Sequence, residues 1–435
     1  MRVTFTPEQS KYYGSKLSTV IRGISGPVNE AVSLETFEKV FHGLSKPNQT
    51  NLFSTPLWSN IVKPNLLPFS TEAKSIKLAQ TPLAIIPDFK AGVDVMILLN
   101  SKGTDIEIET IDLQKGGLAA NTAEALIQLG YDSRFFSIHG KGEIADFHES
   151  LLRDAGINPV KLIDSGRDAY IHPCTVESSD RKQEFWFVQD REIFPQSAID
   201  EATELLKVEL EKGSNEVLVL SAIPPTGSGV DYFTKMSLLA HSNGNPVIFN
   251  PKQYDHIEEI ATNLFENGRV DVLKPNVVEF TQFLQYARIL YGDERAKAEE
   301  LKKEAKELRF GQAIPMARKL IHKYSPRLRA IFMTFSENGL LAVTPKHAVF
   351  IPAPKVKLVC SSGAGDSGIG GIIVEAKEEN IDLRTNLHPV DLGKLGKAFN
   401  YTASATASLP GNTIADRDQI RALKSAHDIE PIFIQ

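Results

Sequence analysis

The chain has 435 residues, 42% of them hydrophobic and 23% charged, and carries a formal net charge of −6. This suits a globular protein with a large core, and the acidic balance argues against a nucleic-acid partner. No apolar run is long enough to span a bilayer, and no secretory leader is evident. Cys174 and Cys360 show neither metal-ligand nor CxxC spacing, so the expectation is a cytoplasmic protein free of membranes.

Residues 1–80 are rich in Ser, Thr, Asn, Pro and Lys and read as an N-terminal extension of unclear role, with one amphipathic helix near 28–43. From Pro82 onward the pattern is that of an α/β domain, placed at 81–435. Residues 93–99 form an apolar run of strand length, read as the first strand, and 105–111 alternate like a half-buried strand. Helical spacing over 118–129 stops at Gly130, a good residue just past a helix end. A strand at 134–138 and a helix at 146–155 follow, then two strands around a polar turn within 169–188. Short buried strands at 217–220, 247–249, 270–273 and 330–334 alternate with helical segments. Such alternation implies a mostly parallel sheet with helices on both faces, a three-layer αβα sandwich. The strands around 104–112 and 168–190 break that rhythm and read as a small β-lid. A charged helical insertion around 286–310 pairs Glu299 with Lys303 at i,i+4 and reads as a solvated face.

Three motifs carry chemistry. In the first, Gly116 and Gly117 open the helix that holds Asn121, and small residues there let backbone approach a ligand. With Asp94 they offer the groups needed to grip a polyol, although a tight strand–helix turn fits equally well. The second is K-P-N-V-V-E, residues 274–279, directly after a strand. Ligands gather at the carboxyl edge of such sheets, and Asn276 with Glu279 suits Mg²⁺, which binds through few protein groups. The same N-x-x-E also fits a helix cap. The third is S-S-G-A-G-D-S-G-I-G-G, residues 361–371, with apolar residues at helical spacing after it. Gly363, Ala364 and Gly365 would form a helix start whose N–H groups face an anion, and Asp366 is placed to take a proton from an alcohol attacking a phosphate. Read alone, the motif is also a tight loop with an Asp cap.

Taken in order, these motifs resemble the ribokinase-like, or PfkB, family of carbohydrate and nucleoside kinases over roughly residues 83–420. The resemblance implies ATP-dependent phosphoryl transfer to a sugar or nucleoside hydroxyl, with Mg²⁺ as the metal. It makes Asp366 the general base, Gly363–Ala364–Gly365 the anion hole, and Asn276 and Glu279 the holders of hydrated Mg²⁺. Asp94, Gly116, Gly117 and Asn121 would bind the sugar or nucleoside, and Thr334, Ser336, Gly339 and Asn400 the nucleotide. Relatives often pair through the lid, which leaves a homodimer open. The chain departs from the family pattern at Gly368, where Phe is usual, at Ser336, where Gly is common, at Gly142-Glu143, at Asn250-Pro251-Lys252, where D-P-N-x-R is usual, and at Cys360. The alternative is a weak or inactive member that binds a metabolite or a protein.

Overall fold

The computed structural model describes residues 82–434, apart from 90–91, 103–104, 167–169, 178–183, 189–192, 213–214, 223 and 253–256, together with short strands at 2–4 and 32–33. Those strands are β1 (Arg2–Thr4) and β2 (Val32–Ser33). β3 (Pro82–Asp88), β4 (Gly92–Lys102) and β5 (Asp105–Lys115) lead into α1 (Leu118–Gln128). Next come β6 (Asp132–Ile138), α2 (Glu143–Asp154), β7 (Lys161–Ile163), β8 (Tyr170–Glu177) and β9 (Glu184–Val188). α3 (Gln196–Lys212), β10 (Val217–Ala222), α4 (Tyr232–Ser242), β11 (Val247–Pro251), α5 (Ile257–Asn267) and β12 (Val270–Leu273) continue the alternation. Three helices follow, α6 (Val277–Tyr286), α7 (Glu294–Lys306) and α8 (Ala313–Tyr324), and then β13 (Leu328–Thr334), β14 (Gly339–Val343) and β15 (Ala348–Pro352). The chain closes with α9 (Ala364–Glu378), α10 (Pro389–Ala407), α11 (Arg417–Ala426) and β16 (Ile432–Ile434).

The ten-stranded central sheet runs β16-β15-β14-β13-β12-β11-β10-β3-β6-β7. Its strands are parallel from β7 to β13 and antiparallel from β13 to β16. Alternation along each strand divides the core in two. On β10, Leu218 and Leu220 face the layer of α3–α8, while Val217 and Val219 face that of α1, α9, α10 and α11. The fold is thus a three-layer αβα sandwich.

A second sheet, β1-β5-β4-β8-β9-β2, takes in the strands expected to form the lid. Residues 93–99 belong to β4 in this lid and not to the central sheet, whose first strand in the chain is β3. An apolar run of strand length suits either sheet, so pattern alone could not separate them. The helix expected near 28–43 is not formed at Val32–Ser33, which pairs in parallel with β9; the rest of that span lies outside the described residues. So does most of the extension. In α7, Glu299 pairs with Lys302 at i,i+3 and not with Lys303.

α1 ends as its sequence implies. Tyr131 N–H bonds to Leu126 O and Gly130 N–H to Ile127 O, with Gly130 at φ 90°. α9 reaches the sheet edge between α1 and α10 because glycines line it: a Cβ on Gly370 would lie 2.7 Å from Ala125, and one on Gly371 2.7 Å from Ala398 O.

Candidate active site

The carboxyl ends of the parallel strands put a row of polar residues in register. Ser221 on β10 lies opposite Asn250 on β11, and Lys274, just past β12, donates its N–H to Phe249 O. The start of α9 arrives over this row. Gly363, with φ 74°, is its N-cap, and no side chain caps it. The amides of Gly363 and Gly365 donate to no described residue. An uncapped helix start of this kind concentrates positive potential and N–H donors, so it invites an anion. Lys274 strengthens the invitation. It is 6% exposed, its ammonium donates to no described residue, and its Nζ would lie 3.0 Å from a Cβ on Gly365.

Asp366 stands in the first turn of this helix and is 9% exposed. Asn121 Nδ2 donates to its Oδ2 at 3.0 Å and Asn250 Nδ2 to its Oδ1 at 2.9 Å. Two amides thus orient the carboxylate and leave lone pairs on both oxygens for an incoming hydroxyl. The Asn250-Pro251-Lys252 departure acquires a physical meaning here. An Asp at 250 would set a second carboxylate against Asp366, whereas the amide of Asn250 donates to it. Asn250 is fully buried and its Oδ1 accepts a hydrogen bond from no described residue.

The proposed sugar-binding residues gather on the lid side. Asp94 and Gln114 are cross-strand partners at the base of β4 and β5. Gly116 must lack a side chain, because a Cβ there would lie 2.4 Å from Asp94 Oδ1. Gly117 is the N-cap of α1, with φ 100°, and brings Asn121 to Asp366. Asn121 Oδ1 accepts from the buried Lys115 at 2.8 Å and from Asn412 at 2.9 Å. That fixes the amide with its NH₂ toward Asp366. Lys115 also pairs with Glu124 at 2.6 Å.

Asn276 and Glu279 form a capping box: Glu279 N–H donates to Asn276 Oδ1 at 2.9 Å, and Asn276 N–H donates to Glu279 Oε2 at 2.8 Å. The second Glu279 oxygen accepts from no described residue. Burial pushes the Glu279 carboxyl above the ordinary carboxylate range; Lys274, the Asn276 N–H and Lys252 pull it down, and Asp366 pushes it up. Among the described residues no three His, Cys, Asp or Glu side chains cluster as a metal site. One carboxylate oxygen at the sheet edge fits a cation that keeps its waters, as Mg²⁺ does.

The residues expected to meet a nucleotide form a third group. Asn276 and Thr334 make a parallel bridge, so the T-F-S-E-N-G turn lies beside the capping box. Ser336 adopts φ 52°, a conformation that favours the glycine common at this position. A Cβ on Gly339 would lie 2.2 Å from Ile351 O. Asn400 donates to Ile351 O at 2.7 Å and Pro352 O at 3.0 Å, so its NH₂ braces β15. Gly368 leaves room that Phe399 fills, since a Cβ there would lie 2.5 Å from that ring.

The pfkB family model matches residues 93–415, more than half of the chain. The chain belongs to the pfkB family of carbohydrate kinases. It is 23% identical over 271 residues to the ATP-dependent 6-phosphofructokinase isozyme 2 of Escherichia coli K12, covering 61% of this chain and 75% of the relative. It is 26% identical over 157 residues to the tagatose-6-phosphate kinase of Staphylococcus epidermidis, a match that spans 36% of this chain and 43% of that relative. The fold matches phosphofructokinase-2 from Escherichia coli in complex with potassium at TM-score 0.60 and 16% identity, over 80% of this chain and 99% of that one. Ribokinase from Thermotoga maritima matches at TM-score 0.54 and 18% identity, over 79% and 99%. Among the described residues no helix is long and apolar enough to cross a membrane.

Four residues with evident parts in this site were not singled out from sequence: Lys274, Asn250, Lys115 and Asn412. The first two lie in segments that drew notice for other reasons. Lys274 begins the K-P-N motif, and a lysine directly after a parallel strand is a readable signal. Asn412 and Lys115 sit in no motif.

Proposed function

We propose that this chain transfers the terminal phosphoryl group of ATP to a hydroxyl of a sugar or of the sugar part of a nucleoside. The observation that carries this reading is Asp366 at an uncapped, glycine-built helix start, held by Asn121 and Asn250 and flanked by Lys274. The hydroxyl approaches from the side of Asp94 and Asn121, and its proton passes to an Asp366 oxygen as the oxygen attacks. The amides of Gly363 and Gly365 and the Lys274 ammonium oppose the charge on the transferred group. Positioning and fixed dipoles then supply most of the rate. Glu279, through its uncapped oxygen, and Asn276 would hold hydrated Mg²⁺, which supplies charge neutralisation on the phosphates when bound. The nucleotide lies along Thr334, Ser336, Gly339 and Asn400.

The names of the phosphofructokinase and tagatose-6-phosphate kinase relatives support a sugar, or a sugar already carrying phosphate, as the phosphoryl acceptor. The lid closes the site from above through β4 and β5. Its two edges carry strands of this chain's own extension, β1 on β5 and β2 on β9. We therefore place any pairing of two copies through the lid on the outer sides of β1 and β2.

The test is ADP release from ATP with a panel of hexoses, pentoses, their monophosphates and nucleosides, for the native protein and for Asp366→Asn. The reading requires sugar- or nucleoside-dependent release that the variant lacks. Release that is independent of any added compound, or equal in the two proteins, removes it.

A further inference from the structure

Asn412 lies in the loop between α10 and α11, is 3% exposed, and points its amide into the centre of the sugar side of the site. Its Nδ2 donates to Asn121 Oδ1 at 2.9 Å, to Lys115 O at 3.1 Å and to Asp94 Oδ2 at 3.2 Å. Its Oδ1 faces the anion hole and would lie 2.4 Å from a Cβ on Gly363. The side chain is anchored from behind as well. Gln114, at the end of lid strand β5, accepts the Asn412 backbone N–H through Oε1 and packs over Gly411.

We propose that Asn412 is a specificity-determining residue whose amide takes the position of one sugar hydroxyl between Asp94 and Asn121. The inference rests on the reading of Asp94 and Asn121 as sugar-binding groups. A sugar hydroxyl at that position would donate its one proton to the carboxylate or to the amide oxygen, whereas the Asn412 NH₂ reaches both. With the position filled by the protein, the site gains nothing from that hydroxyl on the sugar. It therefore treats a sugar and its deoxy analogue at that carbon alike. A site built to bond a hydroxyl, in contrast, rejects the analogue that lacks it, because its polar groups are left unpaired. Asn412→Ala turns the first kind of site into the second: Asp94 Oδ2 loses one donor, Asn121 Oδ1 keeps Lys115, and a space the size of a carboxamide opens beside both. The loop is held by other bonds too, such as Ala415 N–H to Thr406 Oγ1 at 3.2 Å.

The experiment compares kcat/KM for pairs of a sugar and each of its monodeoxy analogues, in the native protein, in Asn412→Ala and in Asn412→Ser. The native protein should show at least one pair with a ratio near one. In Asn412→Ala that ratio should rise about tenfold in favour of the full sugar, and Asn412→Ser, which keeps one donor, should fall between. Ratios that are the same in all three proteins overturn the proposal and leave Asn412 a loop anchor. If Asn412→Ala does not fold, judged by its melting transition, Asn412→Ser alone decides by the same ratio. If the native protein phosphorylates no sugar, the kinase reading falls separately. Calorimetric titration of the same sugar pairs then judges Asn412, and absence of binding to every protein overturns it as well.

Discussion

In the proposed reaction the central sheet and the lid divide the work. Groups placed by the central layers, Asp366, Asn250, Lys274, Glu279 and the α9 amides, are the ones we propose to act on the phosphoryl group. Groups at the base of the lid strands, Asp94, Gln114 and Lys115, are proposed to act on the acceptor, either directly or by holding Asn121 and Asn412. The proposed reacting centre sits on strand ends and a helix start locked into a closely packed core, where small displacements are resisted. The proposed selecting groups sit where two sheets meet, and Asn121 alone among them bonds directly to Asp366. On this reading reaction and selection meet at Asn121 and are otherwise separable, and substitutions can show where the separation holds.

The largest effect belongs to the core. Asp366→Asn keeps the shape of the side chain and removes its ability to take a proton, so turnover should fall by ~10²–10⁴. ATP binding, followed by calorimetry, should change little. Full turnover in this variant would take Asp366 out of the reaction.

The second variant strikes the seam between lid and core. Lys115 and Glu124 form a buried pair, and Lys115→Met leaves the carboxylate without its cation. Unfolding in denaturant should show a loss of ~3–5 kcal/mol, most of it recovered by adding Glu124→Leu. A loss under ~1 kcal/mol would mean that water reaches the pair and that the seam is looser than its burial indicates.

The opposite edge of the central sheet offers a third measurement. Asp271 on β12 is fully buried, with Arg329 at 3.5 Å and Arg269 at 3.7 Å, and burial pushes its carboxyl up to about 6. The folded protein then keeps this proton up to about pH 6, whereas the unfolded chain releases it near the ordinary 3.8. The contribution to stability is fully present below that lower value and is lost as pH rises through about 6. It amounts to at most ~3 kcal/mol. The native protein should lose stability over this window relative to Asp271→Asn, and parallel pH profiles for the two would show that the arginines keep the carboxylate charged throughout.

Glu279→Gln should give the smallest change. The amide oxygen can still cap α6, so melting should shift by less than ~1 kcal/mol, while the Mg²⁺ needed for half-maximal rate rises several-fold. An unaltered magnesium titration would reduce Glu279 to a helix cap.

Much of this division was legible before any coordinates. Gly363 to Asp366 declare themselves because an uncapped, glycine-built helix start is local: the glycines, the carboxylate and the apolar spacing fall within one stretch of chain. The parallel strands at 217–220, 247–249 and 270–273 were equally clear, being short apolar runs between helical segments. The groups that hold Asp366 and Asn121 were not. Asn250 meets its partner across 116 residues and Asn412 across 291, and a lone asparagine has no periodicity that would point to either. The misplacement of 93–99 has a related cause. Hydrophobic content tells how buried a strand is, but the sheet it joins is decided by its neighbours, here β5 and β8.

The lid's pairing pattern bears on how the protein is made. Arg2 pairs with Asp112, Val32 with Phe187 and Gly92 with Tyr170, so several of its ladders join segments far apart in the chain. Neighbours such as β10, β11 and β12 follow one another directly and close over shorter stretches. Distant pairings carry the larger loop-closure entropy and form late. During synthesis β2 has to wait for residue 188 before its partner strand is complete. Until then the free edges of β5 and β9 are the surfaces on which a nascent chain is most exposed to pairing with the wrong strand.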